Sequence, residues 1–164
     1  MGGKNMNRKA MTLANISNGL LFTHDGVCFF SSTHGHHMGL GYFRMDAMPW
    51  DAVIHLMRGG DITIIDATRK NKPLSDALRY GVPTWAMVYN RAIRIRSEKV
   101  CDWQTREMIS VASSNKHRKL IRSYRKLAKY FKPERPAVIG ENIKVVCYPN
   151  FQLDDQMEEI GQRV

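Results

Sequence analysis

The sequence predicts an α+β fold with a mainly antiparallel sheet, and three observations lead there. β-prone runs separated by turn residues crowd the first part of the chain, amphipathic helical patterns dominate the later part, and one short apolar run returns near the C-terminus. Strands and helices are therefore segregated rather than alternating. With 164 residues and 43% hydrophobic composition, the chain suits one domain with a core of its own. We divide it into a flexible basic arm over 1–10, carrying Lys4, Arg8 and Lys9, and a single α+β domain over 11–164.

Taken in order, Leu20 to Thr23 and Val27 to Ser31 flank an Asp25-Gly26 turn and read as a hairpin. Met38 to Phe43 reads as a third strand. Pro49 opens a helix carrying Trp50, Val53, Ile54 and Met57, and Gly59 with Gly60 closes it, since glycine takes the left-handed turn at a helix end most easily. Asp61 to Ala67 is an apolar strand, and Pro73 to Tyr80 a short helix stopped by Gly81. Thr84 to Tyr89 and Ala92 to Ile95 read as a second hairpin around Asn90 and Arg91. Asp102 can cap a helix running through Ala112. Ile143 to Cys147 is a strand, and Leu153, Met157 and Ile160 share one face of a final helix.

Between those last helices lies the densest charge in the molecule. Nine of the 25 Lys and Arg residues fall between Lys116 and Arg135 with Glu134 the lone acid, a net charge of +8 out of +10 for the chain. Leu120, Tyr124, Leu127 and Phe131 step by four, three and four residues, so one apolar seam runs along a helix that Ile121 and Ala128 widen. Ser113, Ser114 and Asn115 offer caps and Pro133 cannot continue the ladder, which sets the helix at about 115–132. Arg118, Lys119, Arg122, Arg125, Lys126, Lys129 and Lys132 stand around the seam with no acids one turn away to pair them. The expectation is a nucleic-acid-binding ridge whose affinity falls with salt, with Tyr130 the aromatic best placed to stack on a base. The partner is anionic: DNA, RNA or an acidic protein surface.

Other classes are harder to sustain. No stretch approaches the roughly 18 uninterrupted apolar residues of a membrane span, and no signal peptide is seen, so a cytoplasmic or virion-internal protein is expected. Cys28, Cys101 and Cys147 are an odd number without metal-ligand spacing, which argues against a disulfide framework or a zinc ribbon. No cofactor is expected. Ten methionines, with Trp50, Trp85 and Trp103, would suit an interface as readily as a core, so a basic subunit of a larger nucleoprotein or virion assembly is a further expectation.

Five of the six histidines, His24, His34, His36, His37 and His55, lie between residues 24 and 55. Imidazoles this dense admit three readings: a metal site, a polar turn beside the sheet, or a proton-transfer partner for a thiol. The metal reading lacks the i, i+4 spacing of a zinc hydrolase, and no metal ligands are assigned. For the thiol reading, Cys101 and Cys147 both precede a predicted helix, where a thiolate is favoured, and Cys28 reads as buried.

The order of these motifs resembles the circularly permuted papain-like thiol hydrolases of the NlpC type. Asn18-Gly-Leu-Leu-Phe-Thr23 is similar to their opening strand, His37-Met-Gly-Leu-Gly-Tyr-Phe43 to the strand presenting the catalytic histidine, and Ile64-Ile-Asp-Ala67 to the strand bearing the third polar residue. Pro73-Leu-Ser-Asp-Ala-Leu78 and the strand Ala86 to Tyr89 follow in the same order. The resemblance implies Cys147 as nucleophile, His37 as its base, Asp66 orienting the imidazole, and cleavage or transfer at amide or ester bonds.

Overall fold

The computed structural model describes residues 10–16, 19, 23, 27–29, 48–68, 72–94, 100–133 and 142–148. Within them four strands form one sheet, β1 (Met11–Asn15), β2 (Val27–Phe29), β3 (Ile62–Ala67) and β4 (Ile143–Tyr148), in the order β2-β1-β3-β4. Every pairing is parallel, Leu13 opposite Val27, Leu13 opposite Ile64, and Ile64 opposite Val145. This corrects the antiparallel expectation. Of the first predicted hairpin, Val27–Phe29 is a strand that lies parallel to β1, itself a strand the sequence does not predict, while the Asp25-Gly26 turn lies outside the described residues. Met38 to Phe43, the N-terminal arm and the helix around Met157 lie outside the described residues.

A parallel pair needs a long crossover between its strands, and this chain fills two of its crossovers with helices. Between β2 and β3 stands α1 (Trp50–Met57), opened by Pro49 and closed through Gly59 at φ 78°, as the sequence predicts. A Cβ at Gly60 would lie 2.2 Å from His55 Nε2, so a larger residue there would displace the ring that folds back to within 2.9 Å of the Asp61 carbonyl. His55 thus closes a turn.

Between β3 and β4 run α2 (Val82–Ala92), α3 (Arg106–Ala112) and α4 (Arg118–Phe131). Helix α2 replaces the predicted second hairpin. Val82, Trp85, Ala86 and Tyr89 follow a helical period, but Thr84, Val88 and Asn90 are buried as well, so the polar face that identifies a surface helix is missing. A π-helical turn, Ala77–Gly81, leads into it. Pro83 has no N–H for the Arg79 carbonyl one turn back, and the indole of Trp103 donates to that oxygen instead, at 2.7 Å. Helix α3 is capped by Thr105, which accepts from the Met108 amide at 3.2 Å, rather than by Asp102.

The larger side chains alternate along the strands, while the small Ala14 and Ala67 are buried on the opposite face as well. Leu13, Ile62, Ile64 and Ile143 are buried toward the helices, whereas Thr12, Thr63, Ile65 and Lys144 on the other face are not. Against the buried face pack Val53, Leu56 and Met57 of α1, Trp85 and Tyr89 of α2, and Ile121 and Tyr124 of α4. Trp85, read as a candidate interface residue, is fully buried in this core.

Candidate functional site: a cationic helix and the rim of the sheet

The predicted basic helix exists, as a 3-10 turn over Asn115–His117 continued by α4. Its seam is the one expected: Ile121 and Tyr124 are buried, and Leu120, Leu127, Ala128 and Phe131 pack against the core. Tyr124 fastens the middle of the helix. Its hydroxyl receives the Trp85 indole N–H at 3.2 Å, and its ring meets Trp50 edge-on at 5.6 Å and Tyr89 at 5.9 Å. Lys132 ends the helix in the left-handed region, φ 48°, because the following Pro133 disfavours the right-handed one, and its amide still reaches the Ala128 carbonyl at 2.8 Å.

Arg118, Lys119, Arg122, Arg125, Lys126, Lys129 and Lys132 are all exposed, and among the described residues none of the seven forms an ion pair with a carboxylate. Arg118 donates its Nε to Asn115 Oδ1 at 3.2 Å within its own helical segment, whereas Arg125 reaches another element. Its Nε donates to the Ala92 carbonyl at 3.3 Å, capping the negative end of α2, so part of its job is structural. His117 adds nothing to the ridge at neutral pH, since burial first and the charge of Lys116 next hold its imidazole below the ordinary value. One cation was missed from the sequence: Arg58, at the end of α1, is exposed and places its guanidinium 4.9 Å from the Phe131 ring centroid. Nothing in the local sequence marks it; the packing of α1 against α4 brings it there.

A second constellation lies at the carboxyl ends of the strands. The sheet grows from β1 to β2 on one side and resumes at β3 on the other, so the direction reverses between β1 and β3, the place where open parallel sheets form a ligand crevice. Asp66 sits there, fully buried. Its carboxylate receives the Asn15 side-chain amide at 2.9 Å, the Ala67 backbone N–H at 2.8 Å and the Ser75 hydroxyl at 2.5 Å. Ser75 Oγ in turn accepts from the Leu78 amide at 3.2 Å, so it caps the helical turn that it ties to the sheet. Gly19 passes over the same end of β3, where a Cβ would fall 2.2 Å from the Ile65 carbonyl oxygen. Lys72 bridges to Asp76 at 2.5 Å beside it.

Of the residues implied by the papain-like resemblance, Asp66 and Cys147 are register partners on β3 and β4, and His37 lies outside the described residues. Burial raises the Cys147 thiol, and the neighbouring Asp66 raises it further, against backbone and Thr68 hydrogen bonds that lower it. A thiolate is disfavoured at that position, the reverse of what a nucleophile requires. Cys101 is buried. Among the described residues no group of three or more His, Cys, Asp or Glu could hold a metal ion, and His24, His34 and His36 lie outside them.

Both constellations fall inside a region that matches a known protein family, the Rit1 N-terminal domain, over residues 5–148. The chain belongs to the Rit1 N-terminal domain family. A relative in Aquifex aeolicus (strain VF5), described as an uncharacterized protein, is 30% identical over 174 residues, covering 96% of this chain and 92% of that protein. No solved structure matches. The family match runs from before β1 to the last residue of β4, so the cationic helix and the Asp66 rim both belong to the family's shared span in this Rit1-type domain. Among the described residues no helix is long and apolar enough to cross a membrane.

Proposed function

We propose that this Rit1-type domain binds nucleic acid through α4, with the exposed cations of that helix lying along phosphates. The observation that carries the reading is that, among the described residues, no carboxylate pairs with the ridge: six cations other than Arg125, of which Arg118 bonds only to Asn115 of its own helical segment, project from a helix whose opposite face is locked into the core. Holding so many like charges in one strip is unfavourable for the isolated fold, and a polyanion relieves it while releasing counterions. An acidic protein surface would satisfy the charge too; the exposed ring of Tyr130 among those cations favours a nucleic acid, whose bases can stack on it. The test is replacement of Arg118, Arg122, Lys126 and Lys129 by Gln, leaving Arg125 to cap α2. Binding to a labelled oligonucleotide in an anisotropy titration should weaken by at least about 100-fold at low salt. Unaltered binding would overturn the proposal.

The rim favours a companion reading, in which a single nucleotide unit of the polymer enters the crevice between β1 and β3 beside Asn15 and Asp66. Hydrogen exchange at Ala67 to Leu78 should slow in the presence of ribonucleoside monophosphates, and unchanged exchange would remove this reading. The thiol-hydrolase reading has less to support it, since Cys147 is half-buried with its thiol raised.

A further inference from the structure

We infer that the α4 surface takes unpaired strands in preference to duplex, with Tyr130 stacking on a base while the neighbouring cations hold the phosphates on either side. This rests on the nucleic-acid reading above and goes beyond it by naming the form of the polymer. Tyr130 is 80% exposed, well above Trp50 at 48%, the next most exposed of the large hydrophobic side chains described. A phenol ring set out in water among charges contributes little to the core. It nevertheless touches the fold: the ring meets Phe131 edge-on, with centroids 4.9 Å apart and planes at 84°, and Phe131 is itself half-buried under Arg58. Arg58, Phe131 and Tyr130 form a short chain of contacts at the C-terminal end of α4.

The spacing of the cations fits this use. Lys126 lies one helical turn before Tyr130, a rise of about 6 Å, and Lys129 is its immediate neighbour. A base laid on the ring would bring its own phosphates toward both ammonium groups. In a duplex the base faces are already covered by their neighbours, and a helix lying along the backbone meets only phosphates and sugars, so an exposed phenol gains nothing there. In a single strand every base has a free face, and stacking on an aromatic ring contributes substantially whatever the sequence.

The experiment uses the full chain as wild type, Tyr130→Ala and Tyr130→Phe. Anisotropy titrations would be run with an oligouridylate and an oligodeoxythymidylate of about 12 nucleotides, within the known range of single-strand site sizes, and with a blunt DNA duplex of the same length. Tyr130→Ala should weaken single-strand binding about tenfold, change duplex binding by less than about twofold, and be rescued by Tyr130→Phe, which keeps the ring. Loss on either single strand supports the inference, and the strand that loses more names the polymer. Single-strand affinity that ignores Tyr130→Ala, or an equal loss on the duplex, overturns it while leaving the phosphate-binding reading intact. Wild-type protein that binds none of the three probes overturns both. The exposure of Tyr130 makes misfolding of the alanine variant an implausible cause of any loss, and circular dichroism checks it.

Discussion

Asn15 donates its side-chain amide to Asp66 over 2.9 Å, joining β1 to β3 at the point where the sheet reverses its direction of growth. Removing the acceptor should be severe. Asp66→Ala would leave the buried Asn15 amide, the Ala67 N–H and the Ser75 hydroxyl without the carboxylate they share, at a cost of about 3 kcal/mol. Asp66→Asn keeps one acceptor oxygen and should cost about half as much. Urea unfolding measures both, and a loss below about 1 kcal/mol for Asp66→Ala would show that the pair does not hold the rim together.

The thiol next to that carboxylate should be slow to react. Burial and Asp66 both raise Cys147, so the pH midpoint of its alkylation by iodoacetamide, followed on its own peptide by mass spectrometry, should lie above the ordinary 9.0. Asp66→Asn should bring the midpoint down. A midpoint lower than that of a free thiol would return Cys147 to consideration as a nucleophile.

Tyr89 predicts an alkaline weakness. Among the described residues its buried hydroxyl has no hydrogen-bond partner, and burial followed by the proximity of Tyr124 pushes its phenol far above the ordinary 10.0. Above that pH the unfolded chain loses the proton while the folded one keeps it, so the unfolded state binds fewer protons and stability falls as pH rises. Below it the contribution is fully present. Tyr89→Phe should therefore flatten the alkaline branch of the stability curve and, by removing an unsatisfied hydroxyl, stabilise the protein at neutral pH by about 1 kcal/mol. An unchanged alkaline branch would contradict the assignment.

The α4 helix was legible because its two signals, seam and charge, are both local. Leu120, Tyr124, Leu127 and Phe131 declare the buried face within a few turns, and Pro133 declares the end. The sheet was not legible in the same way. The run Ile62-Thr-Ile-Ile carries the near-continuous β-branched character of a strand flanked on both sides by parallel neighbours, but the Asp25-Gly26 turn signal weighed more and suggested a hairpin. Helix α2 was lost for a related reason, since burial on nearly all sides removes the polar stripe and leaves Thr84 to Tyr89 looking like a strand. The rim could not be read at all from one chain. Asn15, Asp66 and Ser75 are ordinary polar residues until the crossovers bring positions 51 and 9 apart in sequence onto one carboxylate.

The salt dependence of binding tests the cationic ridge most directly. Titrating a labelled oligonucleotide at a series of salt concentrations gives a log-log slope that counts the phosphates neutralised. For the variant with Arg118, Arg122, Lys126 and Lys129 replaced by Gln, that slope on a single strand should be shallower than wild type by about 3, roughly 0.7 for each of the four cations removed. Parallel slopes for the two proteins would mean that α4 does not touch the phosphates.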